Sequence, residues 1–145
     1  MTLAKWKVGI VSCSGEEIPE GTISRVATRL VSEKLRPDET VTICLPLFLA
    51  GGEGERTFAK LFPTITVDGC EKRCAEIGTE KYSGKPFATV VVSDVLKKCH
   101  NLVLKSRDKL SAEEWKFAEK VAEEIAKKVD EALSRQNEQL RSEKQ

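Results

Sequence analysis

Residues 5–12, Lys5-Trp6-Lys7-Val8-Gly9-Ile10-Val11-Ser12, lead into Cys13-Ser14-Gly15, and this stretch carries the reading of the fold. Its centre is almost continuously apolar, as expected of a strand in a sheet covered on both faces. A thiol and a glycine follow directly, so the strand ends in a turn that bears a reactive group. A polar loop then runs to Gly21. Thr22 can cap a helix in which Ile23, Val26, Ala27, Leu30 and Val31 recur with helical spacing, closed by Pro37.

The same alternation continues outward. Glu39–Cys44 reads as a second strand, and Pro46 with Gly51-Gly52 opens a loop. Gly54 precedes a short helix through Phe58, Ala59 and Leu61, which Pro63 ends. Residues 64–67 make a short β-branched third strand. Asp68-Gly69-Cys70 is a tight strand-to-helix junction, and the helix after it is expected to hold Cys70 and Cys74 on one face until Gly78 weakens or ends it. Phe87–Val92 is a fourth strand, finished by Ser93-Asp94. Ser111 and Glu114 form a capping-box signature ahead of a long helix whose stripe is Trp115, Ala118, Val121, Ala122, Ile125, Val129 and Leu133.

Repeated strand–helix units imply right-handed crossovers. The expected fold is α/β, a small three-layer Rossmann-like or flavodoxin-like arrangement. It has a mostly parallel four-stranded sheet and a long C-terminal amphipathic helix. The 145 residues suit a single domain: a core over 1–95, the helix over 111–135, and a polar tail over 136–145 expected to fray.

Composition excludes several classes of partner. With 24 basic and 23 acidic residues the net charge is +1, which gives no general attraction to nucleic acid or to an anionic membrane. The longest apolar run, Val41–Ala50, is interrupted by Thr42, Cys44 and Pro46 and is too short to span a bilayer. Residues 1–7 lack the apolar stretch of a secretory signal, so a cytoplasmic chain is expected. Five cysteines without such a signal argue against a disulfide framework.

Cys13, Cys44, Cys70 and Cys74 all fall where strands run out into turns. In a parallel sheet the carboxyl ends of the strands share one rim, where such folds bind ligands. Four thiols converging there would make a tetrahedral site for a soft or borderline cation, zinc above all. Helix N-termini nearby favour thiolate over thiol, and Lys72 and Arg73 can offset the net negative charge of four thiolates around a divalent ion.

Other motifs carry less. Asp68 is expected to cap the helix that presents Cys74, and Asp94 invites the same reading. Cys99 reads as ordinary packing. His100 is the single histidine, which rules out a histidine-rich metal cluster. Gly51-Gly52-Glu53-Gly54 lacks the Lys-Ser/Thr of a phosphate-binding P-loop. Cys13 and Arg25 stand too far apart in sequence for the compact cysteine–arginine cradle of tyrosine phosphatases.

Cys13-Ser14-Gly15, Cys44, Asp68-Gly69-Cys70 and Cys74 together resemble the DGC-domain family, named for its Asp-Gly-Cys motif and described by four chelating cysteines. The resemblance covers roughly residues 5–95 and leaves the C-terminal helix outside. It implies zinc binding by Cys13, Cys44, Cys70 and Cys74, and it supplies no reaction. The leading expectation is a zinc-binding protein with a structural, storage or metal-delivery role. A closed four-thiolate shell leaves no position for an activated water. The alternative is a thiol-dependent enzyme performing sulfur or alkyl transfer, or reduction, through Cys13 or Cys70. An iron–sulfur centre is a third option, though the spacing matches neither common ferredoxin pattern.

Overall fold

The apolar stretch around Gly9 forms β1 (Val8–Ser12), the hub of a four-stranded sheet in the order β2-β1-β3-β4, with β2 at Thr40–Thr42, β3 at Thr64–Asp68 and β4 at Ala88–Val91. This computed structural model describes residues 6–144; Lys5, placed above in the first strand, and Gln145, the last residue of the tail, lie outside the described residues. All three strand pairings are parallel, Ile10 facing Thr42 on one side and Ile65 on the other, and Val67 facing Val90. The order reproduces the first four positions of the flavodoxin-like arrangement 2-1-3-4-5. Its topological switch lies between β1 and β3, because the chain leaves β1 first toward β2 and later returns on the opposite side.

Two layers of helix cover the sheet. On one face α1 (Pro19–Leu30) and α7 (Ala112–Glu143) pack on Val8, Ile10, Ile65, Val67 and Val90, with Ile23, Ala27, Phe117, Val121, Ile125 and Val129 fully or almost fully buried. On the other face Val11 meets Phe48 of α2 (Pro46–Ala50), Phe58 of α4 (Phe58–Leu61) and Ala75 of α5 (Cys74–Tyr82). Each fully buried Val, Ile or Phe contributes roughly 1.5–3 kcal/mol. The α1/α7 face, with the larger apolar cluster, therefore dominates stability.

Several elements depart from the sequence reading in detail. Pro19 sets the first turn of α1, so the helix starts three residues before Thr22. Thr22 does not cap it; its hydroxyl donates to the Arg107 carbonyl at 2.8 Å, tying α1 to the loop before α7. Beyond Leu30 the helix continues as a π-helical stretch, Val31–Leu35. The segment after Pro46, expected as a loop, is the short helix α2, and the helix after Gly52 is split into α3 (Glu53–Arg56) and α4. Gly78 does not stop α5, which reaches Tyr82. Ser93-Asp94 belongs to α6 (Val92–Lys97).

Helix α7 begins as its capping box dictates: Ser111 Oγ accepts from the Glu114 N–H at 3.2 Å, and the Ser111 N–H donates to Glu114 at 3.0 Å. Its buried stripe starts with Phe117, whereas Trp115, one turn from the helix start, is 45% exposed. The polar end is helical to Glu143. No helix among the described residues is long and apolar enough to cross a membrane.

Candidate metal centre

The β1–β3 ladder runs one residue past the strand. The Cys13 N–H donates to the Val67 carbonyl at 2.9 Å, which fixes Cys13 on the rim at the switch between β1 and β3. Its thiol lies 3.1 Å from the Ser24 hydroxyl. Ser24 in turn donates to the Gly21 carbonyl at 2.6 Å, so its single proton is committed and the Cys13 thiol is the donor. Ser24 was not singled out from the sequence; its polar side chain among Ile23 and Ala27 of a buried helix was the available signal.

The Asp-Gly-Cys stretch is held from three sides. Asp68 is fully buried at the end of β3, and its carboxylate accepts from the N–H groups of Ala75 at 2.6 Å and Glu76 at 3.1 Å. The expected capping role is therefore present, although the cap reaches back seven residues. Burial pushes the Asp68 carboxyl above its ordinary range, opposed by those two N–H donors. Gly69 lies against the first turn of α1: a Cβ there would come 2.6 Å from the Gly21 nitrogen, so only hydrogen fits. The Gly69 carbonyl accepts from the Ser93 N–H at 3.1 Å, which pins the loop to the end of β4.

Cys70 and Cys74 do not share a helix face. Residues 69–73 form a loop closed by a 3.2 Å bond from the Arg73 N–H to the Cys70 carbonyl, and Arg73 adopts a left-handed φ of 53°. Cys74 is the first residue of α5. The helix starts late because Asp68 satisfies the N–H groups of Ala75 and Glu76, which places its first turn at Cys74 rather than at Cys70. Asp94 makes no comparable cap; it sits within α6 near Lys97, 3.8 Å away.

Cys13, Cys70 and Cys74 line one crevice of about 460 Å³ at the switch point, with Gly15, Glu20 and Ser93 also on its wall. Loss of water pushes the Cys74 thiol above its usual value, although the residue as a whole is exposed; the negative charges of Asp68, Cys70 and Cys13 add to the effect, and Lys72 opposes it. Arg73 is engaged elsewhere, paired with Glu76 at 2.9 Å.

Cys44 is exposed and borders a different cavity, which it shares with Cys13. β2 lies on the far side of β1 from β3, so its end reaches the flank of Cys13 rather than the crevice. Among the described residues no three His, Cys, Asp or Glu side chains are gathered as a group able to hold a metal ion. The expected convergence of four thiols at one spot is thus not assembled in the structure. Cys99 packs half-buried beside the α1/α7 core, 3.5 Å from the Lys120 ammonium, and His100 is exposed. Neither lines the crevice.

The donor set suits a thiophilic cation in kind. The soft thiol side chains of Cys13, Cys70 and Cys74 line one space, the ligand type that such an ion prefers.

The sequence matches the DGC domain over residues 9–129. The chain belongs to the DGC-domain family. The match extends well past residue 95 and takes in much of α7, correcting the narrower span that the cysteine motifs alone suggested. In this DGC domain α7 is part of the unit because it closes one face of the sheet that carries the motif. No curated protein and no solved structure matches the chain. Membership in the DGC-domain family is consistent with a metal-binding role.

Proposed function

We propose that this DGC-domain protein binds one zinc ion through the thiolates of Cys13, Cys44, Cys70 and Cys74, in a structural, storage or metal-delivery role. The observation that carries the reading is the crevice at the β1/β3 switch, lined by Cys13 after β1 and by Cys70 and Cys74 in the loop and helix start after β3. Cys44 lies on the flank of Cys13, exposed after a three-residue strand, and a rearrangement of the loops after β1 and β2 brings it in. Fixing a loop residue costs about 1–2 kcal/mol. Structural zinc in small peptides binds with roughly 10–16 kcal/mol of apparent free energy, so such closure is well within reach.

When bound, zinc supplies charge neutralisation and a cross-link between loops. The chain's residues do the rest. Asp68 holds the start of α5 at the crevice that Cys74 lines, and Lys72 favours the thiolate of Cys74. Thiolate ligands must stay reduced, and the cytoplasm keeps them so, which is where we place the protein.

A second reading follows from the position of Cys44 outside the crevice. Three thiolates with an open fourth position would allow a thiol-dependent enzyme of sulfur or alkyl transfer, or of reduction. Zinc titration of metal-free protein against a chromophoric chelator, with alkylation of the loaded protein, tests both. One ion per chain and protection of all four thiols is the expected result. Full alkylation of all four in zinc-loaded protein would end the proposal. Retention of zinc by Cys44→Ser, with loss on replacing Cys13, Cys70 or Cys74, would favour the open, three-thiolate site.

A further inference from the structure

The cavity shared by Cys13 and Cys44 has a second character. It occupies about 240 Å³ between α1 and the ends of β1 and β2, and Arg25 and Arg29 line it. No aspartate or glutamate lies on its wall, while Ser12, Ser14 and Thr42 contribute hydroxyl groups. Arg25 and Arg29 are four residues apart on α1 and so stand on one helix face, where like charges repel.

Their partners within the chain are weak. Arg25 meets Glu16 at 3.8 Å with the two side chains 43% and 78% exposed, and Arg29 meets Glu33 at 3.6 Å with 70% and 62% exposed. Exposed pairs of this kind contribute little. The Nε of Arg25 is buried and has no hydrogen-bond partner among the described residues. That nitrogen lies against Gly15, where a Cβ would stand 3.2 Å from it, and not on the open wall of the cavity. Cys13 and Arg25, too distant in sequence for a compact cradle, are thus brought to one wall by the fold.

We infer that this cavity binds a small oxyanion, held by the guanidinium groups of Arg25 and Arg29. Two cationic forks and a wall without acidic residues are complementary to such a ligand. The volume falls below the roughly 300–1,000 Å³ of pockets for drug-sized ligands, so the ligand is small. The binding groups are the arginines, and the cavity shares Cys13 and Cys44 with the proposed zinc site, so the anion is tested on the metal-free chain.

Calorimetric titration of the metal-free, reduced full chain with sulfate, phosphate and malonate in low-chloride buffer tests it. The expected result is saturable binding of one anion per chain, weakened about tenfold or more by Arg25→Gln and by Arg29→Gln, as loss of a charged hydrogen bond implies. Tighter binding of sulfate or phosphate assigns a tetrahedral oxyanion, and tighter binding of malonate a carboxylate. Arg25→Lys keeps the charge and loses the fork, so it is expected to weaken binding as well. Arg29 is exposed, so Arg29→Gln folds and decides the matter if Arg25→Gln does not. Absence of saturation with all three anions, or binding unaltered in Arg29→Gln, would overturn the assignment. Zinc binding that fails while sulfate still saturates would count against the thiol site alone.

Discussion

The carboxylate of Asp68, at the end of β3, accepts a 2.6 Å hydrogen bond from the N–H of Ala75, in the first turn of α5. Both residues are fully buried, and the second carboxylate oxygen takes the Glu76 N–H at 3.1 Å. One side chain thus joins the strand before Cys70 to the helix that begins with Cys74. Asp68→Ala leaves the Ala75 N–H without its acceptor, at a cost of about 1–3 kcal/mol. Asp68→Asn keeps one acceptor and turns a donor toward the Glu76 N–H, so an intermediate loss is expected. Urea unfolding and zinc titration should give the order wild type, Asn, Ala in both stability and affinity. An alanine variant that loses stability but keeps zinc affinity would show that the cap serves the fold alone.

Gly69 offers a sharper separation of motif from fold. A methyl group at this position meets the backbone of Gly21 and Glu20, with approaches of 2.6 Å to the Gly21 nitrogen and 2.9 Å to the Glu20 carbonyl carbon. Neither neighbour can rotate away, so the loop itself must move and carry Cys70 with it. Overpacking of this kind costs about 1–3 kcal/mol. Gly54, inside α3, has nothing within 4 Å of its notional Cβ. Gly69→Ala should lower both the melting temperature and the zinc affinity, while Gly54→Ala should be neutral or stabilising by about 0.5–1 kcal/mol. Equal behaviour of the two variants would contradict the packing described here.

Glu114 supplies a pH-dependent contribution to folding. The Ser111 N–H, and after it the Ser111 hydroxyl and the N–H groups of Lys105 and Ser106, hold its carboxyl below the usual glutamate value, against the opposing effect of burial. A carboxyl depressed in the folded state takes up its proton more readily when unfolded. Its contribution is therefore complete above the ordinary glutamate range and disappears as pH falls through the folded-state value. Glu114→Gln should be less stable than the wild type near neutral pH, with the gap closing as pH falls below the ordinary glutamate range. Ser111→Ala removes the reciprocal cap and should cost about 1 kcal/mol near neutrality. A glutamine gap that stays constant across this range would exclude the charged acceptor as its source.

The parallel sheet and the capping of α7 were legible because each depends on local patterns. The apolar centre of β1, the β-branched run of β3 and the Ser111/Glu114 pair signal themselves within a few residues. The placement of Cys13 and Cys70 on one rim followed from parallel strands, whereas Cys74 reaches the same crevice at the start of α5. What escaped depends on contacts distant in sequence. Thr22 reads as a cap until Arg107 claims its hydroxyl, and the start of α5 is displaced to Cys74 by a carboxylate that sits before the loop. Cys44 resembled its three counterparts because strand order decides on which side of β1 its thiol emerges, and that order has no local signature. The arginine-lined cavity was hidden for the same reason: Arg25 and Cys13 meet only once α1 is laid against β1.

Removal of zinc should loosen the rim without dissolving the domain. The largest apolar cluster joins α1 and α7 to the sheet and contains none of the four proposed ligands, so its burial is independent of the metal. Ligand stabilisation by mass action reaches about 4 kcal/mol when free zinc stands at a thousand times its dissociation constant. For a chain of this size that corresponds to a fall of roughly 10 °C in melting temperature on chelation. Far-UV circular dichroism should change little below the new midpoint, while alkylation of Cys13, Cys44, Cys70 and Cys74 should accelerate. Collapse of the helical signal on adding chelator at room temperature would show instead that the α1/α7 face cannot hold the fold without the cross-link at the rim.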